Sequence, residues 1–299
     1  MLTEAQLLER KKGIGGSDAA ACLGLSKWKT PLDVYFDKTS GNVEEIDNKY
    51  MKWGRIHEPS IRDEYMQETG KIIYVPEKCR VSEKYPFMIA NIDGIGEDGG
   101  LLECKTADSH SSALWGEGAD QFPDEYLMQC AHYAIVYDAT YVDLAVLIGG
   151  NDFRIYKYER NKELELLIIE QEKDFWENHV LKLIPPEPKN LEDLNRMYQK
   201  TRGEMKNAAP SIKSLIENLK ENNIKLKELE AEKDKLFFIV KESIGDFDGL
   251  TDEFGNTLCT WKIQNTERFD SKIFKKLHPD IYKQFTKTTA SRVFRLGRY

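Results

Sequence analysis

The segment GLLECKTA, residues 100–107, places an acidic and a basic side chain on either side of a single cysteine. Successive side chains of a β-strand point to opposite faces, so Glu103 and Lys105 share one face while Leu102 and Cys104 share the other. The segment is therefore predicted to be a strand with one apolar and one charged face. Two interpretations of the charged face are open: a solvated ion pair, or two parts of one reaction centre.

Strand and helix patterns alternate around this segment. The glycine-rich turn GIGEDGG joins it to a strand-like run at residues 87–93, and another such run lies at residues 71–75. The runs at residues 141–149 and 153–159 predict a hairpin. This order predicts an α/β fold with a central mixed β-sheet flanked by helices. The predicted helices span about residues 31–38, 47–69, 123–137 and 162–183.

A proline-rich stretch at residues 185–188 marks a change of composition. Residues 1–185 are predicted to form the core, and residues 186–299 a C-terminal extension with a long helix, a hairpin turning at residues 254–256, and a basic tail. Nine positions of the long helix follow the 3,4 spacing of a coiled coil, and we call them the helix seam. The helix either packs on its own domain or self-associates. The helix seam consists of Ile212, Leu215, Leu219, Asn222, Leu226, Leu229, Lys233, Leu236 and Val240.

Composition bears on location and partners. The chain of 299 residues has no apolar run long enough to span a membrane and no signal-peptide pattern at its start, so we expect no membrane contact. Five cysteines without a C-x-x-C pair are typical of reduced thiols in a cytoplasm and provide no zinc framework, although distant cysteines could still form an iron–sulfur site. The net charge of −8 argues mildly against nucleic acid, but residues 266–299 carry nine Lys or Arg against three acids.

The acids around the glycine-rich turn suit metal-assisted chemistry. Asp93 ends one strand-like run and Glu103 lies on the next, so a hairpin would bring the two carboxylates close together. A divalent magnesium or manganese ion usually relieves such repulsion. Beside it, Lys105 would orient or help to deprotonate a water molecule, while the ion neutralises charge on a phosphate. These residue types predict phosphodiester hydrolysis, and a surface ion pair is the alternative.

Three further motifs accompany the acids. The run GIGGS, residues 13–17, is either an anion site with free N–H groups and a hydroxyl or a helix-capping turn. Glu58 lies on a predicted helix and is either a further acid of the site or part of a solvated face. His57 is not expected to share an ion with Glu58, because adjacent helical residues point about 100° apart. Gln129 is either a site residue or a buried amide.

Taken in order, these motifs resemble the phage-type recombination exonucleases of the lambda exonuclease and YqaJ-like family, within the PD-(D/E)xK nuclease superfamily. The resemblance covers roughly residues 8–180 and implies a restriction-endonuclease-like core. Each motif alone is weak evidence, whereas the ordered set is specific. The motifs are R-x6-S (Arg10, Ser17), WG-x3-E (Glu58), D-G (Asp93), E-C-K (Glu103, Lys105) and Q-x3-Y (Gln129, Tyr133).

The resemblance implies a metal centre. Asp93 and Glu103 would bind the metal together with the backbone carbonyl of Cys104, and Glu58 would complete a second metal site. The implied cofactor is Mg²⁺, for which Mn²⁺ would substitute, with two ions in each active site.

The resemblance also assigns roles to the other motifs. Lys105 would position or activate the attacking water, and Gln129 would steady that water or Lys105. Arg10 and Ser17, with the backbone of Gly15 and Gly16, would hold the 5′-terminal phosphate of a DNA end. Tyr133 and His57 are secondary candidates.

The reaction implied by the resemblance is the digestion of linear double-stranded DNA from its 5′ end. The 3′ single strand would then serve a single-strand annealing recombinase in a host cell, with a phage or prophage origin. Family members often form trimeric rings, so a homo-oligomer is expected. Two alternatives remain: a structure-specific endonuclease with the same metal centre, and a non-catalytic adaptor of nuclease fold.

Overall fold

A five-stranded mixed sheet lies in the computed structural model, which describes residues 8–41 and 48–297 of the chain. One neighbouring pair of its strands, the third and fourth in the sheet, is parallel, and the other pairs are antiparallel. In spatial order the strands are β2 (Ile73–Tyr74), β5 (Gly94–Gly96), β6 (Leu101–Ala107), β7 (Tyr141–Ile148) and β8 (Asp152–Glu159).

Strand β6 has the alternation that its sequence predicts. It pairs with β7 along its whole length, with Glu103 opposite Leu144 and Cys104 opposite Ala145. Leu102 and Cys104 are buried in one apolar cluster on one side of the sheet. Glu103 and Lys105 belong to the other side by alternation. The apolar and charged faces are thus separated.

Helices cover both faces of the sheet and confirm the predicted α/β class. Helix α3 (Lys49–Thr69) packs Ile61 and Tyr65 on the face that holds Leu102 and Cys104. Helix α4 (Asp124–Tyr137) contributes most of its residues to the core against the opposite face. The other helices of this region are α1 (Gly16–Cys22), α2 (Pro31–Thr39), α5 (Lys162–Phe175) and α6 (Leu191–Met197), with a 3₁₀ helix at Ser109–Leu114.

A second sheet has three strands, and one of them directly precedes α1. It consists of β1 (Ile14–Gly15), β4 (Met88–Ala90) and β3 (Arg80–Val81), with β1 parallel to β4. Gly13 approaches this sheet closely, since a Cβ there would lie 2.7 Å from the Ile89 side chain and 2.8 Å from the Phe87 carbonyl oxygen. A residue without a side chain is therefore required where the chain enters β1.

Two predicted helix bounds differ from the structure. Helix α3 begins at Lys49 because Asn48 caps it, accepting hydrogen bonds from the N–H groups of Tyr50 and Met51; the predicted start at Asp47 lies outside the described residues. Helix α5 ends at Phe175, and a π-helical turn at Trp176–Val180 occupies most of the remaining predicted length.

The chain divides into two compact units, Met1–Met197 and Tyr198–Tyr299. Helix α6 belongs to the first unit, because Thr30 donates a hydrogen bond of 3.0 Å to Asp193 and Arg196 forms an ion pair with Asp33. The first unit therefore extends beyond residue 185, where the prolines suggested a boundary.

The second unit contains the predicted long helix and hairpin. Helix α7 (Pro210–Ile244) starts with proline at its first position, where the missing N–H has no intrahelical partner to lose. Strands β9 (Gly249–Thr251) and β10 (Thr257–Thr260) form the hairpin, and Gly255 adopts a φ of 83° in its turn. Helices α8 (Ser271–Leu277) and α9 (Pro279–Gln284) follow, and Arg298 of the basic tail lies outside the described residues. Among the described helices, none is both long and apolar enough to cross a membrane.

Candidate active site

The hairpin of β5 and β6 brings Asp93 and Glu103 together. Asp93 immediately precedes β5, whose Gly94 lies opposite Leu102 in antiparallel register. The Asp93 Oδ2 accepts a hydrogen bond of 2.8 Å from the backbone N–H of Cys104. This bond fixes the Asp93 carboxylate next to the residue that follows Glu103, as the hairpin prediction requires.

Glu103 is buried, with 3% of its surface exposed. Its Oε1 accepts hydrogen bonds from Lys105 Nζ at 2.5 Å and from Gln129 Nε2 at 2.6 Å. Its Oε2 is buried and has no hydrogen-bond partner within the described part of the chain. Because an orphaned buried carboxylate oxygen is costly, this atom is suited to accept a ligand that carries positive charge.

The charges of the site are unbalanced. Burial raises the pKa of Asp93 well above its ordinary value, and the charges of Glu103 and Glu58 raise it further. Burial also raises the pKa of Glu103, against the opposing charge of Lys105. Burial lowers the pKa of Lys105, but the carboxylates of Glu103 and Asp93 outweigh it and hold that pKa above its ordinary value. Lys105 is therefore a charged ammonium group, and it faces more than one carboxylate.

Glu58 lies on α3 near the site and forms an ion pair with Arg62 of the same helix. Its Oε1 lies 3.2 Å from Arg62 Nη1, one helical turn along, and Arg62 also donates to the backbone carbonyl oxygen of Asp93 at 3.0 Å. Arg62 was missed in the sequence, although its i,i+4 spacing from Glu58 is a signal that could have identified it. It attaches α3 to the acid hairpin.

The carboxylate oxygens of the site supply some of the ligands that a divalent cation requires. Asp93 and Glu103 supply hard carboxylate oxygens, one of them unpartnered, and burial together with the charges of Glu103 and Glu58 makes Asp93 costly to ionise without a cation. Across residues 8–41 and 48–297, no group of three His, Cys, Asp or Glu side chains stands ready to hold an ion. The charge of Glu58 raises the pKa of Asp93, and the Oε1 of Glu58 is paired with Arg62. It is the amide of Cys104 that contacts Asp93, so a metal-binding role for the Cys104 carbonyl stays a prediction.

Gln129 connects the acids to the GIGGS run at residues 13–17. Its Nε2 donates to Glu103 and also, at 2.8 Å, to the hydroxyl of Tyr133 on the next turn of α4. The ring of Tyr133 lies against Gly16, where a Cβ would come within 2.5 Å of ring carbon Cε1. Motifs separated by more than a hundred residues in sequence are thus joined by contacts between neighbouring side chains.

Buried polar contacts hold the GIGGS run, the segment that is predicted to bind a phosphate. Gly15 precedes α1 in an extended conformation, and Ser17 is exposed in the first turn. The next residue, Asp18, is buried and forms ion pairs with Lys38 at 2.8 Å and Lys29 at 2.6 Å. Lys38 Nζ also donates to the backbone carbonyl oxygen of Arg10 at 2.7 Å. One buried lysine therefore ties the Arg10 segment to the start of α1.

Two of the candidate residues make aromatic contacts. The ring of His57 stacks on Trp53, one turn earlier on α3, with centroids 5.5 Å apart. Lys105 Nζ lies 5.5 Å from the ring centroid of Tyr126 on α4. Sequence reasoning missed Tyr126, and its position three residues before Gln129 on the same helix face is the signal that was available.

Comparison with known proteins identifies a family for this chain. Residues 7–141 match the family described as the YqaJ-like viral recombinase domain. The chain is 30% identical over 315 aligned residues to the uncharacterized protein YqaJ of Bacillus subtilis (strain 168), an alignment that covers 98% of this chain and 94% of that protein. The alignment therefore spans the C-terminal unit as well as the segment that carries the acid site.

Two solved structures share the fold. The alkaline exonuclease LHK-Exo from Laribacter hongkongensis superimposes with a TM-score of 0.51 at 19% identity, covering 66% of this chain and 98% of the enzyme. LHK-Exo in complex with dAMP gives a TM-score of 0.51 at 20% identity, with the same coverage of 66% and 98%. The predicted nuclease-like fold is confirmed.

Proposed function

The chain belongs to the YqaJ-like viral recombinase domain family, and from this premise we propose that it is a divalent-metal-dependent exonuclease acting on linear double-stranded DNA. Digestion would run from the 5′ end and leave a 3′ single strand. The observation that carries the proposal is the cluster of Asp93, Glu103 and Lys105, in which Glu103 keeps one buried oxygen without a partner. LHK-Exo, which shares the fold, is named an alkaline exonuclease and binds dAMP, a nucleoside monophosphate.

Asp93 and Glu103 would hold the cation. When bound, a divalent ion supplies positive charge that lowers the pKa of water and neutralises charge on the scissile phosphate. The chain itself contributes a fixed pair of oxygens: the Cys104 amide holds Asp93, while Lys105 and Gln129 hold Glu103. Preorganised in this way, the acids need little rearrangement when the substrate arrives.

Lys105 would act as a cation rather than as a base. Its ammonium group is charged, because the acids around it raise its pKa, and so it can orient water and stabilise the developing charge on phosphate. In the reaction, a water oxygen bonds to phosphorus and the bond from phosphorus to the 3′ oxygen breaks. One proton goes to that 3′ oxygen and the other to solvent. The products are a 5′-mononucleotide and a shortened strand with a new 5′-phosphate.

Arg10, Ser17 and the backbone of Gly15 and Gly16 would receive the 5′-terminal phosphate. Support comes from the contact between Gly16 and the Tyr133 ring, which places this segment close to Gln129 and therefore to Glu103. The distance from the phosphate site to the acids would then define where the first bond is cut.

Further features of the proposal follow the family. The 3′ strand would pass to a single-strand annealing recombinase in the cytoplasm of the host, and copies of the chain would assemble, with a trimeric ring as the family precedent. Two ions, Mg²⁺ or Mn²⁺, would serve each site, the second requiring Glu58.

The proposal is tested with linear duplex DNA labelled at either the 5′ or the 3′ end of one strand, with 5′-phosphate or 5′-hydroxyl termini. We expect loss from the 5′ end that requires Mg²⁺, stops with EDTA and is faster with phosphate. Lys105→Ala should lower the rate at least 100-fold, within the range for one transition-state cation. Lys157→Ala, an exposed lysine on β8, is the matched control.

Other outcomes would overturn specific parts. Cleavage of closed circular DNA at a similar rate would replace the exonuclease with an endonuclease. Release of label from the 3′ end first would reverse the direction. DNA binding without cleavage under Mg²⁺ or Mn²⁺ would indicate the non-catalytic adaptor.

A further inference from the structure

Helix α7 leaves the helix seam open to solvent. Its leucines at positions 215, 219, 226, 229 and 236 are between 45% and 62% exposed. Contiguous apolar stripes of this kind on a soluble chain mark interaction surfaces. Binding through this surface is independent of the proposed function.

We propose that the helix seam binds the helix seam of a second copy of this chain, with the two helices antiparallel. The argument starts from the order of residues around the midpoint between Leu226 and Leu229. Read outward from that midpoint, each direction gives a leucine, a polar residue, a leucine and an aliphatic residue. Toward the N-terminus these are Leu226, Asn222, Leu219 and Leu215, and toward the C-terminus they are Leu229, Lys233, Leu236 and Val240.

A twofold axis at the midpoint would place eight of the nine seam residues opposite a seam residue of the second copy, and Ile212 opposite Ser243. Leu226 faces Leu229 of the second copy, and Asn222 faces Lys233 of the second copy. The lysine ammonium can then donate to the asparagine amide oxygen, so that the two polar interruptions satisfy each other. A parallel, in-register pair would instead set Lys233 against the same residue of its neighbour, which buries two like charges.

The positions that flank the seam are complementary in the same arrangement. In antiparallel helices, the residues that directly precede alternate seam positions face each other across the pair. Lys225 precedes Leu226, and Glu232 precedes Lys233. Lys225 then lies opposite Glu232 of the second copy, an attraction that the twofold axis repeats. On the other flank, Ile216 lies opposite Phe237 of the second copy, which extends the apolar contact. A second copy of the chain thus matches the helix in polarity, charge and register.

The arrangement makes an isologous pair, since the same surface is used by both copies. If the first unit is a monomer or forms an odd-numbered ring, pairing through α7 doubles the number of chains in the particle. The mass of such a particle should therefore fall by a factor of two when the seam is broken.

A disulfide in the full-length chain tests the register. In the variant with both Asn222→Cys and Lys233→Cys, oxidation should join position 222 of one copy to position 233 of the other. The two positions are eleven residues apart in one helix, about 16 Å at a rise of about 1.5 Å per residue. A disulfide requires Cα atoms about 4–7 Å apart, so a bond between positions 222 and 233 must join two copies.

The matched control is the variant with both Glu217→Cys and Glu228→Cys, which has the same spacing on exposed positions away from the seam. Mass spectrometry of proteolytic peptides should find the 222–233 bond and no 217–228 bond. An unlinked Asn222→Cys/Lys233→Cys variant, or a bond between two copies of position 222 in Asn222→Cys alone, would overturn the antiparallel pair.

Light scattering on the full-length chain gives an independent readout. Leu226→Asp with Leu229→Asp should halve the particle mass while circular dichroism shows the helix content retained. Ile224→Asp removes an exposed aliphatic side chain from the same helix away from the seam and should leave the mass unchanged. A wild-type mass equal to that of the double aspartate variant would overturn the proposal, because the seam would then be covered within one chain or not at all.

Discussion

The backbone of Gly16 lies against the ring of Tyr133, so closely that a Cβ at Gly16 would stand 2.5 Å from ring carbon Cε1. The Tyr133 hydroxyl accepts from Gln129, which also donates to Glu103. The GIGGS run is therefore in contact, through the side chains of Tyr133 and Gln129, with the acid that we propose to bind metal. A displacement of the GIGGS run should therefore change the position of the Glu103 carboxylate.

Gly16→Ala is expected to lower exonuclease activity at least tenfold. The added methyl group must push the Tyr133 ring away, and Gln129 then loses the geometry with which it holds Glu103. Rates on 5′-phosphorylated duplex DNA at saturating Mg²⁺ measure the effect. Because the ring is rigid and buried, no flexible side chain is available to absorb the overlap.

Gly54→Ala is the control for this substitution. Gly54 lies within α3, where the nearest atom to an added Cβ is Thr106 Oγ1 at 3.9 Å, an ordinary contact. Alanine is the better helix former, so this variant should be more stable by about 0.5–1 kcal/mol. Equal activity losses in both variants would show that the contact between Gly16 and Tyr133 has no special role.

Glu103→Gln should abolish DNA cleavage yet stabilise the metal-free protein. The substitution removes a buried charge that faces Asp93 and replaces the unpartnered Oε2 by a group that can donate, worth on the order of 1–2 kcal/mol. Thermal unfolding in EDTA measures this gain. Wild type should gain in melting temperature when Mg²⁺ is added, because a ligand that binds the folded state stabilises it.

The same Mg²⁺ titration on Glu103→Gln should produce a much smaller shift in melting temperature. Glu97→Gln, an exposed position in the β5–β6 turn, should respond to Mg²⁺ as wild type does. If Glu103→Gln retains the full response, the ion binds elsewhere.

Stability should fall as pH rises above about 6.5, the ordinary histidine value, because of His132. Its imidazole is fully buried and lies 2.8 Å from Glu172 and 2.9 Å from the carbonyl oxygen of Ile89. Burial lowers the pKa of His132, but the charge and hydrogen bond of Glu172 outweigh it and raise that pKa above its ordinary value. The folded state therefore keeps a proton that the unfolded state loses, and the free energy of unfolding declines through this window.

Urea unfolding at several pH values between 6 and 9 measures the decline. In Glu172→Gln the carboxylate that raises the pKa of His132 is gone, so the decline should disappear. His110→Asn, at a largely exposed side chain in the 3₁₀ helix, should keep the wild-type slope. A slope that survives Glu172→Gln would mean that another group carries the proton.

The acid hairpin could be predicted from the sequence because its determinants are local. Because side chains alternate along β6, Glu103 and Lys105 share a face. Because the turn GIGEDGG reverses the chain between β5 and β6, Asp93 lies beside them. The seam of α7 was predictable for the same reason, since its spacing is visible within one helix.

Contacts between distant segments could not be predicted in this way. The pairs of Asp18 with Lys38 and of His132 with Glu172 are buried ion pairs between separate helices, and periodicity within one segment does not reveal them. Gln129 was selected only through the ordered motifs, since its bond to Glu103 spans 26 residues. The first unit extends to Met197 because Asp193 and Arg196 of α6 contact residues at the start of α2. The prolines at residues 185–188 suggest an earlier boundary, and no local pattern indicates this contact.

The basic tail of the second unit should strengthen DNA binding without serving the chemistry. Lys275 and Lys276 lie in the last turn of α8, and Arg292 and Arg295 follow it. Each phosphate contact that is lost should reduce the slope of log affinity against log salt by about 0.9. In a Glu103→Gln background with EDTA, Lys275→Gln with Lys276→Gln should therefore weaken duplex binding most at low salt and flatten the salt dependence. Lys213→Gln with Lys227→Gln, two exposed lysines on α7, removes the same charge and should have less effect. Equal effects from the two pairs would mean that overall charge, and not the tail, attracts the DNA.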